Sequence, residues 1–558
     1  MSKIRIGTQE VLHVRRGTGH VDTFCADRLP PIEHQPVRDW TGVSELAYPD
    51  AMNCAGELLD SMIEGGRGER TVFEFPGGRW TYQHLHETSN RIARVLVEDL
   101  GLVPGNRVLL RGPNNPMLAA CWFGILKAGG VVVCTMPMLR ERELRYVADK
   151  AEITLALTDT RFADECEAAM RTKADGSDRK GARVVHFNSD AHFSLEPLMR
   201  HKTADFINHP TASEDIAIIA FTSGTTGEGK GTMHSHRDIM AVTDTFPRYV
   251  LKPSPDDLFC GSPPLAFTYA LGGLVLFPMR FGASSLLLEQ ATPLNLIKAI
   301  EEFRPTICFT APTAYRAMCG MLAEHDVSSL KKCVSAGETL PRSVFDAWYE
   351  ATGLKIMDGL GATELLHIFI SAAENDIRPG ATGKVVPGFK ARVVNQDGTE
   401  LPAGTVGRLA VRGPTGCRYL DNIEQQRAYV QNGWNLTGDS YKVDADGYFW
   451  YQARTDDMII SGGYNIAGPE VENVLLEHPA VLECAVVGEP DKERGNLVKA
   501  YVVLRPGQKG NSKLVKELQD FVKAHIAPYK YPRAIKFEKS LPRTSTGKLQ
   551  RYRLREER

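Results

Sequence analysis

The stretch Asp215-Ile216-Ala217-Ile218-Ile219-Ala220-Phe221 leads directly into Thr222-Ser223-Gly224-Thr225-Thr226-Gly227-Glu228-Gly229-Lys230-Gly231. The first part is a short apolar run closed by a turn signal, which reads as a buried strand. The second part offers small residues, four hydroxyls, a flexible backbone and one cation. Backbone N–H groups and hydroxyls in such a loop can surround phosphate oxygens, and Lys230 can counter their charge. A plain Ser/Gly/Thr surface loop is one alternative, and the buried strand feeding the loop argues against it. The P-loop of kinases and GTPases is another, because Gly224, Gly229 and Lys230 stand at its spacing. That motif needs Ser or Thr directly after the Lys to hold Mg2+. Gly231 occupies that position, and Thr232 comes one residue late.

The same grammar recurs along the chain. Thr306-Ile307-Cys308-Phe309 runs into Ala311-Pro312-Thr313 and a helical stretch, and Lys332-Cys333-Val334 runs into Ser335-Ala336-Gly337-Glu338. Strand, turn and helix in alternation predict an α/β architecture. Ligands in such sheets sit at the carboxyl ends of strands, so these turns predict one shared cleft. From about Lys384 the texture becomes β-rich: Val393-Val394, Gly407 to Val411 and Tyr448 to Tyr451 are separated by Gly, Asp and Pro turns. A boundary falls near Arg454-Thr455-Asp456-Asp457. Beyond it, Glu470 to Glu477 reads as a helix, and Val481 to Val487 and Ala500 to Leu504 as strands. Leu514, Leu518, Phe521, Val522 and His525 mark one face of a further helix. About 100 residues with both element types can form a small independent domain. The polar segment Lys173 to Lys180 reads as an exposed loop.

Composition removes several classes. The chain has 558 residues, a length that suggests three or four structural units at roughly 150 residues each. With 43% apolar and 24% charged residues, it is neither disordered nor a small disulfide scaffold. Lys and Arg total 66 against 68 Asp and Glu, a net charge of −2, which speaks against nucleic acid or a polybasic membrane contact. The balance is uneven: Lys530 to Arg558 carries ten basic and three acidic residues. That end reads either as a solvated tail or as a surface that meets a polyanion. The eleven cysteines form no CxxC pair, so metal and redox motifs lack support. The N-terminus lacks the apolar core of a signal peptide, and no apolar run reaches about 18 residues. A reducing cytoplasm is the expected compartment.

The loop at Thr222, Ser223, Gly224, Thr225, Thr226, Gly227 and Lys230 resembles the signature of the acyl-adenylating superfamily. The usual pattern there has Pro where Gly229 stands. Asp358-Gly359-Leu360-Gly361-Ala362-Thr363-Glu364 resembles the family's second nucleotide motif. The resemblance implies that Thr363 bonds the α-phosphate and Glu364 binds Mg2+. Many relatives carry an aromatic where Leu360 stands. Ser335-Ala336-Gly337-Glu338-Thr339 resembles the adenine-binding turn. Asp439 matches the carboxylate that holds the ribose hydroxyls, and Arg454 a second ribose contact. Asp456 matches the hinge of the small domain. Leu541 to Lys548 matches the C-terminal motif, which makes Lys548 the catalytic lysine. Both reactants, a carboxylate and an α-phosphate, are anionic, so the chemistry needs cations and aligned donors.

In this family Phe267, Tyr269 and Gly272 would line the acyl pocket, with Ala336 and Gly361. The run Thr363-Glu364-Leu365-Leu366-His367-Ile368-Phe369 resembles the benzoate-CoA ligase branch, which places His367 and Ile368 on the wall of an aryl pocket. That branch carries Lys where Ile460 stands. Val21 to Phe24, Arg28 to Pro31, and Gly231 to His234 with His236 to Asp238 resemble 2-aminobenzoate-CoA ligases. The expected acid is benzoate or 2-aminobenzoate, and the expected acceptor is coenzyme A. Ser461, Gly462, Gly463 and Tyr464 would admit its pantetheine arm after rotation about Asp456. The resemblance therefore implies residues 1–455 as an adenylating domain of two α/β subdomains plus a β-rich one. Residues 456–558 would be a small mobile α+β domain. ATP, Mg2+ and coenzyme A are the implied cofactors, with no nucleic acid or membrane partner and a homodimer left open. A stand-alone loader of a carrier protein and a non-catalytic binding protein of the same fold are the alternatives. No carrier domain is expected, since the chain ends ten residues after Lys548.

Overall fold

The computed structural model describes residues 2–6, 9–13, 17–222, 229–454, 457–461, 464–491, 494–526, 528–543 and 549–556. Two large sheets form its centre. The first has six strands in the order Gly231–Ser235, Ile216–Phe221, Val131–Thr135, Arg107–Arg111, Leu155–Asp159 and Arg183–Phe187. All neighbours are parallel except Gly231–Ser235, which returns antiparallel along Ile216–Phe221. The unbroken apolar run of Ile216–Phe221 is what a strand covered on both faces requires. Helix Pro116–Lys127 is buried almost all round. Its start is fixed by Pro116 and by the Asn115 side chain, which accepts from Leu118 N at 2.9 Å.

The second sheet has nine strands, ordered Lys384–Val385, Ile368–Ser371, Ile356–Gly361, Lys332–Ala336, Ile307–Thr310, Leu258–Gly261, Ser284–Leu286, Thr71–Phe75 and Gly78–Thr81. Its centre is parallel and both edges are antiparallel. Register matters here: Thr310 pairs with Ser335, Ser335 with Asp358, and Ala336 with Gly359. The carboxyl ends of these three strands are therefore level, and the turns that follow them open on one side. One core joins the two sheets, with Leu110, Val132 and Ile218 from the first and Phe259, Phe309 and Val334 from the second.

The β-rich stretch is an antiparallel sheet built on Lys390–Val394, Gly407–Arg412, Trp434–Val443 and Phe449–Arg454. The C-terminal segment pairs Val481–Asp491 antiparallel with Gly495–Leu504, and Gly495–Leu504 parallel with Ala534–Glu538. Helices Gly468–Glu477 and Ser512–His525 pack on it, and Val471, Leu475, Val486, Ala500, Val502 and Leu518 share a separate core. Three local readings shift. The first helix starts at Gly468 because Pro469 suits its first turn. The strand from Val481 extends to Asp491 because hairpin pairing continues through Pro490 and Asn496. His525 is exposed: its ring lies on Phe521 and donates to the Phe521 carbonyl, past the end of the core.

A hairpin of Ser2–Ile6 with Gln9–His13, not read from the sequence, precedes these layers. Among the described residues no helix is long and apolar enough to cross a membrane. All eleven cysteines are free thiols.

Candidate active site

Two segments that read as separate motifs form one hairpin. Ile356–Gly361 runs out and Ile368–Ser371 returns beside it, with Gly359 opposite Ser371 and Gly361 opposite Ile368. The tip, Ala362 to His367, carries Thr363, Glu364 and His367. A single 3-10 turn over Thr363–Leu365 and a left-handed Leu366, at φ 72°, reverse the chain. That conformation is costly for leucine and belongs to sites whose surroundings enforce it. Glycine is needed on the outgoing strand. A Cβ at Gly359 would stand 2.5 Å from Ile368 Cδ1, and one at Gly361 would stand 2.9 Å from the His367 backbone.

The stem of the glycine-rich loop comes to this tip from the other sheet. Thr222 N donates to the Lys230 carbonyl at 2.9 Å, and Lys230 N to Thr222 Oγ1 at 3.1 Å. At Gly229 a Cβ would lie 2.6 Å from the Thr222 carbonyl oxygen, so the closed stem favours the residue present. His234, on the strand leaving the loop, donates through Nε2 to the Thr363 carbonyl at 2.8 Å. Tyr419 donates its hydroxyl to Glu364 Oε1 at 2.6 Å, and the Lys230 ammonium lies 5.6 Å from the centre of its ring.

Asp439 and Arg454 face each other across antiparallel strands, and Arg454 Nη1 donates to Asp439 Oδ1 at 3.1 Å. The Asp439 charge holds the guanidinium firmly protonated against burial. Gly337, at φ 88°, turns the chain so that Glu338 and Thr339 follow the level strand ends. Behind them Asp358 has a buried Oδ1 with no hydrogen-bond partner, and burial pushes its carboxyl up to about 8. It borders a cavity also lined by Leu340, Ile377, Arg378 and Thr382.

The predicted aryl-pocket residues are packed together. Tyr269 donates its hydroxyl to the Val334 carbonyl at 3.2 Å, and its ring lies 5.7 Å from those of Phe309 and His367. His367 Nε2 donates to the Tyr269 carbonyl at 3.1 Å, while its buried Nδ1 has no partner. Phe277 meets the imidazole edge-on at 4.4 Å. Gly272 makes room for that ring: a Cβ there would stand 2.2 Å from His367 Cδ2. Ala336 and Ile368 are buried beside it, and Phe267 is half-buried.

Burial also fixes protonation states. The imidazoles of His367 and His236 are pushed down to about 3 and that of His234 to about 4, chiefly by desolvation. All three are neutral in the folded chain. Unfolding restores the ordinary value near 6.5, so the unfolded chain takes up three protons as pH falls below it. Asp358 acts oppositely, since the folded chain keeps a proton that the unfolded one releases. Among these four groups the unfolded chain binds more protons, so they should lower stability as pH falls from roughly 6 to 4.5. Urea midpoints across that range check this, and a flat midpoint would contradict the buried neutral imidazoles.

Comparison with known proteins places this geometry. Residues 64–419 match the AMP-binding enzyme family, and residues 470–548 match the AMP-binding enzyme C-terminal domain. The chain belongs to the AMP-binding enzyme family. A benzoate–CoA ligase from Thauera aromatica is 34% identical over 518 residues, spanning 91% of this chain and 97% of its own length. The crystal structure of the anthranilate CoA ligase AuaEII in complex with anthranoyl-AMP matches with a TM-score of 0.86 at 33% identity, covering 92% of this chain and 98% of that one. A benzoate CoA ligase from Burkholderia xenovorans LB400 matches with a TM-score of 0.81 at 30% identity, covering 90% and 100%. The chain is thus an AMP-forming acid–thiol ligase of the acyl-adenylating type, with ATP, Mg2+ and coenzyme A as its cofactors.

For this AMP-binding enzyme, Glu364 fits a magnesium ligand. Its Oε1 accepts from Tyr419, which leaves Oε2 for a cation. Among the described residues no cluster of three or more His, Cys, Asp or Glu could hold a metal. One carboxylate completed by substrate phosphates is the usual arrangement for Mg2+ in nucleotide enzymes.

The C-terminal segment reaches the same cleft. Arg543 lies 3.7 Å from Glu338 and 3.1 Å from Glu483, and Arg316 Nη2 donates to Glu483 Oε1 at 3.0 Å. Arg543 pairs with Leu549, the two described residues on either side of positions 544–548. Lys548 itself, together with Ser223, Gly224, Thr225, Thr226, Gly227, Asp456, Gly462 and Gly463, lies outside the described residues. Tyr464 is described only as part of strand Tyr464–Ile466. Ser461 is buried, and its neighbours Ile459 and Ile466 belong to the C-terminal core. The sequence reading missed Tyr419, Arg543, Arg316 and Glu483. Their partners lie far away in the chain, so no local spacing signals them.

Proposed function

We propose that this chain is an aryl-CoA ligase acting on a small aromatic carboxylate of the benzoate or 2-aminobenzoate type. In the first step a carboxylate oxygen of the acid attacks the α-phosphorus of ATP. A P–O bond forms to the acid, the bond to the β-phosphate bridging oxygen breaks, and pyrophosphate leaves. In the second step the thiol sulfur of coenzyme A attacks the acyl carbonyl. The C–O bond to AMP breaks, and the thiol proton passes to solvent.

The residues divide the work as follows. Thr363 and the glycine-rich loop donate to phosphate oxygens, and Lys230 offsets their charge. Asp439 and Arg454 hold the ribose, while Gly337 to Thr339 and Asp358 border the adenine. Mg2+ on Glu364 would neutralise charge on the departing pyrophosphate. Lys548 bridges the attacking carboxylate and the α-phosphate. Residues 456–558 then turn about Asp456, withdraw Lys548 and bring Ser461 to Tyr464 to the cleft. The ion pairs of Glu483 with Arg316 and of Arg543 with Glu338 would break in that movement. Eleven free thiols suit a reducing compartment such as the cytoplasm.

The observation that carries the aromatic reading is the cluster of rings itself. Tyr269, His367 and Phe277 pack together, with Gly272 leaving room for the imidazole, next to the hairpin tip bearing Thr363 and Glu364. Release of AMP should be measured with a panel of aromatic acids, with and without coenzyme A. Coenzyme A-dependent turnover with benzoate or 2-aminobenzoate is expected. Acid-dependent pyrophosphate release that coenzyme A never carries forward would contradict the acceptor, and no acid dependence would contradict catalysis.

A further inference from the structure

Tyr419 stands between two groups of opposite charge that the reaction needs apart. Its ring is almost fully buried, with 2% exposure, and Tyr429 meets it edge-on at 5.9 Å. Its backbone is pinned from two directions. Tyr419 N donates to Oε1 of the buried Gln426 at 2.8 Å. The flanking residues pair with the strand that leaves the glycine-rich loop, through Leu420 N to the Gly231 carbonyl and Met233 N to the Arg418 carbonyl, both at 2.9 Å. Arg418 is in turn anchored by a buried ion pair with Asp238. The backbone is thereby fixed, and burial against Tyr429 restrains the ring.

From that fixed position it makes two polar contacts. The hydroxyl donates to Glu364 Oε1 at 2.6 Å. Burial and the adjacent carboxylate both push the phenol's ionisation up, so the group remains a donor. The ring face receives the Lys230 ammonium, which also donates to Gln425 Oε1 at 2.9 Å. Among the described residues Lys230 has no carboxylate partner. A direct Lys230–Glu364 ion pair would neutralise the cation meant for phosphate and occupy the carboxylate meant for the metal. A phenol holding one by its hydroxyl and the other by its face leaves both available.

We propose that Tyr419 is a positioning residue that orients Glu364 toward the metal ion and seats Lys230 beside the phosphates. The proposal rests on the reading of Glu364 as the magnesium carboxylate. It also separates the two contacts. Tyr419→Phe removes only the hydrogen bond to Glu364, while Tyr419→Leu removes the aromatic seat of Lys230 as well.

The test is calorimetric binding of α,β-methylene-ATP, a non-hydrolysable probe, with and without Mg2+. Glu364→Gln serves as reference, and circular dichroism verifies folding of each variant. In the parent enzyme Mg2+ should tighten the analogue. In Tyr419→Phe that metal-dependent gain should shrink about tenfold, the loss expected for a hydrogen bond to a charged group. Its metal-free affinity should stay within about twofold, as expected where the ring and the Lys230 seat are kept. Tyr419→Leu should lose metal-free affinity too. Glu364→Gln should abolish the metal-dependent gain. If Glu364→Gln loses the gain and Tyr419→Phe keeps it, Tyr419 only packs and the proposal fails. If Glu364→Gln keeps the gain, Glu364 is not the metal's carboxylate and the proposal falls with that reading. If Tyr419→Phe does not fold, the same comparison on Gln425→Ala and Tyr419→Trp decides it. Neither variant altering the metal or metal-free affinity would overturn the proposal.

Discussion

Lys548→Ala should abolish acyl-adenylate formation and spare thioester formation from supplied acyl-AMP. The asymmetry follows from charge. In the first half-reaction two anions must meet, and one mobile cation reaching both is worth a large share of the barrier. Removing a single positioned donor from such a transition state typically costs on the order of 10²–10³ in rate. In the second half-reaction the neutral acyl carbonyl is attacked, and no such bridge is needed. Arg543 and Leu549, on either side of residues 544–548, pair with each other, and Arg543 reaches Glu338. The two half-reactions are measured as ATP–pyrophosphate exchange and as thioester release from synthetic acyl-AMP. Equal loss of both would show Lys548 to be structural.

The acid pocket gives the second large effect. His367→Ala should raise KM for the aromatic acid by about 30-fold or more and leave KM for ATP within about twofold. Loss of a buried ring typically costs about 2–3 kcal/mol of packing. The imidazole touches Tyr269, Phe277 and Gly272 but no group assigned to the nucleotide. Gly272→Ala should act on the same parameter from the opposite side. Its Cβ would stand 2.2 Å from His367 Cδ2, so the ring must shift. An unchanged acid KM in both variants would remove His367 from the pocket wall. Equal effects on acid and ATP would point to a general disruption of the hairpin tip.

What the sequence made legible was local. Ile216–Phe221 is a continuous apolar run, so strand, turn and loop follow from adjacent residues. The hairpin Ile356–Ser371 is likewise one contiguous stretch, and its glycines signal the close crossings at Ile368 and the His367 backbone. The motifs named Thr363, Glu364 and His367 for the same reason. Contacts between distant segments were not legible. Tyr419 bonds Glu364 across 55 positions, and the order of the two sheets alone brings them together. Gly272 is placed in the acyl pocket by resemblance alone. Its steric fit depends on a histidine at the distant hairpin tip. The basic C-terminal end was visible as charge, yet its direction toward Glu338 needed the fold.

The cluster of Tyr269, Phe277 and His367 beside the hairpin tip is expected to select an aromatic ring. The most direct measurement is kcat/KM for coenzyme A thioester formation, with the product identified by mass spectrometry. Benzoate and 2-aminobenzoate should be compared with octanoate under identical ATP, Mg2+ and coenzyme A. One of the aromatic acids should exceed octanoate by about 100-fold or more, as differences of roughly 3 kcal/mol in pocket fit allow. Octanoate turned over as well as either aromatic acid would contradict it.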